Sequence, residues 1–215
     1  MARSGEATKE KILDAAEALV FEHGFAASSL DNVLERAALT KGAFFYHFKN
    51  KAELGRALIE RFAARDRDFL ETTMQRAEKL SADPLQQLLI FIGLVSEPFE
   101  DLSEPAPGCL FASYIYQPLE FSEDVAKIAA DTILVWRTRI LGKLEAIDAR
   151  RALDPALDLE ALADQLTVIV EGSYVLSKVL CEPNLMARQL RHFRRYLEFL
   201  LLPQGPVGGA KDEPR

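Results

Sequence analysis

Helical periodicity from end to end, an absence of β-type alternation, and two short capped helices flanking a tight break predict an all-α protein. The expected architecture is a three-helix N-terminal helix-turn-helix domain followed by a C-terminal helical bundle, about nine helices in total. Residues 1–50 form the first unit and 51–202 the second. Residues 51–67 act as a linking helix, and 203–215 form a disordered Gly/Pro/charged tail.

The elements follow in order. Thr8 can cap a helix carrying Ile12, Ala16, Leu19 and Val20 on one stripe, with Gly24 ending it. Ser28 with Asp31 three residues on resembles a capping box, opening a helix of Leu30, Val33, Leu34 and Ala37. Thr40 opens the next helix, and Asn50 with Glu53 repeats the cap-and-acid pattern ahead of Leu54, Leu58 and Phe62. Asp83-Pro84 starts a helix through Leu85, Leu88, Leu89, Ile92 and Val95, because proline suits the first helical position. The Pro- and acid-rich run 97–108 reads as a loop. A short helix spans Cys109 to Tyr116, and a long one starts at Ser122 and continues through Val125, Ile128, Ala129, Trp136, Ile140 and Leu144 until Asp154-Pro155 interrupts. Helices near 158–181 and 184–202 complete the bundle.

Bulk properties narrow the function. Of 215 residues, 49% are hydrophobic and 27% charged, an ordinary globular composition able to bury a core. The net charge of −7 is uneven: residues 1–67 hold 11 Lys/Arg against 10 Asp/Glu, whereas 68–215 hold 15 against 23. A near-neutral N-terminal unit binds nucleic acid only if its cations are grouped on one surface. Two cysteines without CxxC spacing exclude a disulfide framework and argue against structural zinc, so no metal or cofactor is expected. The N-terminus lacks a secretory signal, and the most apolar run, Leu166–Leu180, carries Glu171 and Lys178 and is too short to span a bilayer. A reduced cytoplasmic setting is the expectation. His23, His47 and His192 fall in separate helices, and no nucleophile triad, phosphate loop or HExxH motif exists, so no catalytic residue is assigned.

The segment Ser28–Lys51 carries the functional reading. Helix, tight turn and second helix are the geometry that lays one helix in the major groove. Lys41 at the second helix's start reaches phosphates and base edges, and Gly42 and Ala43 keep that end thin. Phe45, Tyr46 and His47 follow one turn later, with Ser28, Ser29, Thr40, Lys49 and Lys51 as flanking contacts. Phe44 and Phe48, spaced i and i+4, are assigned to the core of the three-helix unit.

Residues 8–54 resemble the N-terminal domain of the TetR (AcrR-type) transcriptional regulators through TKEKILDAA, the EHGF turn, SSLDNVLERA and TKGAFFYHFKNKAEL. The resemblance implies that the second and third helices form the DNA-binding unit. It also implies that the fourth leads into a helical ligand domain that dimerises through its last two helices. Operator DNA, a small-molecule effector and a second copy of the chain are the implied partners, and a ligand-relieved repressor is the implied function. Phe45 stands where the family often has tyrosine, so a hydroxyl contact gives way to contact with a thymine methyl.

The C-terminal part offers Cys109, Phe111, Tyr114, Tyr116, Trp136, Arg137, Glu171 and Tyr174 as aromatic and polar groups for a mostly apolar cavity. GCLFASYIY (108–116) resembles a segment in a subset of these regulators, some of which respond to electrophiles. Cys109 at a helix start is either a thiol activated by the helix field or a small buried hydrophobe closing the cavity. The 162–181 helix is apolar on more than one face, so it is either covered by a partner subunit or central to a monomeric bundle. Leu166, Val170, Val179, Phe193, Leu197 and Leu200 are the dimerisation candidates. Arg191, Arg194 and Arg195 read as a solvated face. A ligand-binding or helical adaptor not acting on DNA and a thiol enzyme using Cys109 are the competing classes.

Overall fold

A computed structural model describes residues 2–115 and 123–202, the side chains of residues 2–4 excepted. It is all-helical among the described residues. The head comprises α1 (Ala2–His23), α2 (Leu30–Ala37) and α3 (Lys41–His47), and the 30-residue α4 (Lys51–Leu80) leaves it. The body comprises α5 (Pro84–Ser96), α6 (Leu110–Ile115), α7 (Glu123–Arg151), α8 (Leu159–Leu180) and α9 (Leu185–Leu201).

Several boundaries differ from the sequence reading. α1 begins before Thr8, at Ala2. Ser29 rather than Ser28 caps α2: its hydroxyl accepts from Asn32 N at 3.1 Å, while Ser28 is buried and donates its hydroxyl to the Gly24 carbonyl at 2.8 Å. The linking helix does not end near residue 67; α4 continues to Leu80 because Leu70, Thr73, Met74 and Ala77 extend its buried stripe into the body. A 3-10 turn, Glu97–Phe99, lies inside the expected loop. Tyr116, the start of α7 at Ser122, and the 203–215 tail lie outside the described residues.

Two hydrophobic cores result. One holds α1–α3 and the first half of α4, and it also takes in Leu110, Phe111 and Tyr114 of α6 and Val125 and Ala129 of α7. The other joins the second half of α4 to α5, α7, α8 and α9. α6 is thus a body segment by chain order but part of the head's core by packing. The Tyr114 ring meets that of Phe25 at 4.6 Å in a tilted pair, and its hydroxyl donates to the Gly55 carbonyl at 3.3 Å. Gly55 is required there, because a Cβ would lie 2.6 Å from Phe25 Cζ and 2.9 Å from the Tyr114 hydroxyl.

Burial within one chain separates the dimerisation candidates. Leu166, Phe193 and Leu197 are buried in the chain's own body core, and Val170 and Leu200 pack against it half-buried. Only Val179 faces outward, 73% exposed. The apolar surface of α8 divides in two: one side meets α7 and α9, and Val168, Val175, Leu176, Val179 and Leu180 stand in water on the other. On α9, Leu190, Phe193, Leu197 and Leu201 point inward at helical spacing, leaving Tyr196 and Phe199 outside.

Candidate nucleic-acid interface and effector cavity

Local chemistry shapes the head. α2 ends at Ala38, whose φ of 53° is left-handed and whose N–H closes onto the Glu35 and Leu34 carbonyls. Thr40 then caps α3, its hydroxyl accepting from Ala43 N at 3.3 Å. Phe44 is fully buried and meets Phe48 at 5.6 Å, so this i, i+4 pair anchors α3 to the head's core. The anchoring turns Phe45 and Tyr46 outward, 54% and 81% exposed, with His47 edge-on to Tyr46 at 4.8 Å. Lys41, Gly42 and Lys49 are exposed on the same short helix and its exit, and Ala43 is half-buried. A Cβ at Gly42 would meet only the Thr40 hydroxyl at 3.8 Å, so the chain itself tolerates a larger residue there.

The candidate contacts are therefore mostly on one surface, with two exceptions. Ser28 lies inside the turn and presents nothing to solvent. Lys51 is drawn back over the Phe25 ring at 4.5 Å and donates to the Ala26 carbonyl at 3.3 Å. Lys41 forms an exposed ion pair with Asp31 at 2.9 Å, a contact that water and salt weaken. Other head cations are committed to holding helices together: Arg61 reaches Glu10, Asp14 and Glu17 of α1, and Arg65 joins at Glu17. Arg36 grips Glu22 with both terminal nitrogens, at 2.6 and 2.7 Å.

In the body, α4, α6, α7 and α8 surround a cavity with about 540 Å³ of empty space, its mouth included. Cys109, Phe111, Trp136, Glu171 and Tyr174 line it, as the sequence reading expected. Two candidates are elsewhere. Tyr114 points into the head's core, and Arg137 lies on the body surface in a bidentate pair with Asp164 at 2.7 Å. The wall also contains Leu166 and Val170, read from sequence as dimer contacts, together with Phe62 and Asp66 of α4. Asp66 lies within RFAARDRDF, where Leu58, Phe62, Asp66 and Leu70 step by fours along one inward stripe of α4. An acid in such a stripe was the available signal.

The cavity's polar groups are perturbed. Burial raises the Asp66 carboxyl, opposed by the Trp136 Nε1–H donated to its Oδ2 at 2.6 Å. Burial likewise raises Glu171, which is hydrogen-bonded to the Cys109 thiol and senses Asp66. Burial, and then the Glu171 charge, push the Cys109 thiol up to about 12. The activating helix field considered for Cys109 is thus outweighed, because desolvation penalises a thiolate more than a six-residue helix supports it.

A helix-turn-helix whose second helix keeps aromatic and cationic groups in water, mounted on a helical body with an apolar cavity, defines a DNA-binding transcriptional regulator. Residues 12–58 match the profile of the bacterial regulatory proteins, tetR family. Over 171 residues the chain is 29% identical to the probable HTH-type transcriptional regulator ArpR of Pseudomonas putida, with 77% of each chain covered. It is 26% identical to the transcriptional regulator AcuR of Cereibacter sphaeroides, covering 81% of this chain and 78% of that one. A TetR transcriptional regulator from Chloroflexus aurantiacus J-10-FL superposes with a TM-score of 0.75 at 20% identity, covering 91% and 96%, which bears on the fold. Residues 12–58 are thus similar to the DNA-binding unit of the TetR-family regulators, and the chain resembles HTH-type transcriptional regulators over most of its length.

Proposed function

We propose that the protein is a homodimeric, cytoplasmic repressor that holds a partly palindromic operator through two copies of α3 and releases it when a small molecule fills the body cavity. Residues 1–50 read DNA in this scheme, and 51–202 sense the effector and dimerise. The observation that carries the reading is the division of α3: Phe44 is spent on the core, while Phe45 and Tyr46 are left in water beside Lys41, Gly42 and Lys49. Aromatic and cationic groups on a thin helix are what groove contact needs. Thr40 and Ser29 sit at the helix N-termini, where phosphate oxygens are favoured.

The outward apolar stripe on α8, flanked by Tyr196 and Phe199 of α9, supports pairing of two chains. In the linkage that follows, effector and operator select different spacings of the two heads, so each weakens the other by the same factor, typically about 1–3 kcal/mol. α4 connects the two functions, carrying Asp66 in the cavity wall and Gly55 in the head's core. The high pKa of Cys109 favours this ligand-relieved scheme over an electrophile-triggered one.

Footprinting on the DNA upstream of the protein's own gene tests the proposal. A protected site with two inverted half-sites is expected. Protection of no site, with tight binding of a small molecule, would favour a helical ligand-binding adaptor instead.

A further inference from the structure

The two carboxyl groups in the cavity wall are unlike the other half-buried acids of this chain. Glu17 is met by Arg61 and Arg65, Glu78 by Arg139 and Lys143, and Asp164 by Arg137. Asp66 and Glu171 reach the cavity from α4 and α8, and among the described residues neither forms an ion pair with Lys or Arg. The charge of Arg67 is felt at Asp66 without a pair forming. Asp66 accepts from the Trp136 indole, Glu171 is bonded to the Cys109 thiol, the Tyr174 hydroxyl senses both acids, and no lysine or arginine lines the wall. The remaining wall combines aromatic rings from Phe62, Phe111, Trp136 and Tyr174 with aliphatic side chains and two threonines.

We propose that the effector is an apolar organic cation, an amine or quaternary ammonium on an aromatic or alkyl body, with its nitrogen held between Asp66 and Glu171. This inference rests on reading the cavity as the effector site. Two carboxylates in an apolar wall lose hydration and repel one another, and a ligand cation supplies the counter-charge that the chain supplies everywhere else. Aromatic faces attract the same cation through their ring quadrupoles. An anionic ligand meets two acids with no cation to offset them, so the wall also discriminates by repulsion.

Trp136 is the chain's only tryptophan and lines the cavity, so its fluorescence reports occupancy directly. The test titrates the full-length protein with three probes sharing one body: 4-phenylbutylamine, 4-phenylbutanol and 4-phenylbutyrate. The amine is expected to bind about tenfold or more tighter than the alcohol, with the carboxylate weakest. Asp66→Asn and Glu171→Gln keep side-chain shape and are expected to erase most of the amine's advantage while leaving alcohol binding within about twofold, which shows that the cavity is intact. Equal or tighter binding of the alcohol or carboxylate, or an amine preference retained in both variants, would overturn the cation assignment but leave the effector cavity standing. No quenching by any probe would overturn both the assignment and the reading of the cavity as the effector site.

Discussion

Replacing Gly55 with alanine is a test whose sign the packing decides. In an open helix interior the change stabilises by about 1 kcal/mol, since glycine has more backbone entropy to lose. At Gly55 the new Cβ lies 2.6 and 2.9 Å from the Phe25 ring and 2.9 Å from the Tyr114 hydroxyl. Carbon atoms in contact settle at roughly 3.5–4.0 Å, so the ring or α6 must retreat by about 1 Å. Both aromatic residues are buried, so their retreat is opposed by the surrounding core. Overpacking of this kind costs about 1–3 kcal/mol, which exceeds the helix gain over most of that range and leaves a net loss of up to about 2 kcal/mol. For a chain of this size the melting temperature should fall by roughly 2–4 °C per kcal/mol. Gly142 in α7 is the control: nothing lies within 4 Å of its Cβ, so alanine there should raise the melting temperature by a similar increment. Thermal melts of both variants at one protein concentration make the comparison. A Gly55→Ala protein as stable as Gly142→Ala would refute the claim that α6 is wedged between head and body.

Three further outcomes test the assignments on α8, on α9 and at Cys109 just before α6. Leu197→Ala, at a site only 1% exposed, should destabilise the fold by about 2–5 kcal/mol, because it opens a cavity in the body core. Val179→Lys should leave the fold intact but shift sedimentation from dimer to monomer; an unchanged dimer would remove the α8 stripe from the interface. In a Cys181→Ser protein, Cys109 should alkylate slowly with iodoacetamide from pH 7 to 9, since a thiol near pKa 12 is thiolate to only about one part in 10⁵ at pH 7. Rapid modification at pH 7 would contradict its buried setting.

The sequence made some of this legible and hid the rest for physical reasons. Caps such as Thr40 and Asn50 are local chemistry and lie where the pattern put them. The split of Phe44 and Phe48 from Phe45 and Tyr46 follows from helical spacing alone, and burial agrees with it. Ser28 and Ser29 both suit a cap, and the choice between them depends on the Gly24 turn, which adjacent letters do not encode. Periodicity shows that α8 is apolar on more than one face but not which stripe meets its own chain. Leu166 and Val179 therefore looked alike until packing separated them. Asp66 stands between two arginines in the sequence, and its burial depends on α6, α7 and α8, contributed from far along the chain. Tyr114 and Arg137 have suitable chemistry for a cavity, but tertiary packing directs one into the head and the other into a surface ion pair.

The most direct measurement of the central claim is the affinity of Lys41→Ala and Tyr46→Ala proteins for the footprinted operator, taken across a salt series alongside circular-dichroism melts. Both side chains stand exposed on α3, so the melts should match the unaltered protein. Lys41→Ala should weaken binding and lower the salt dependence by about one phosphate contact per head, and Tyr46→Ala should lose about 1–3 kcal/mol with less change in salt dependence. Unchanged operator affinity in both variants would show that α3 does not read DNA.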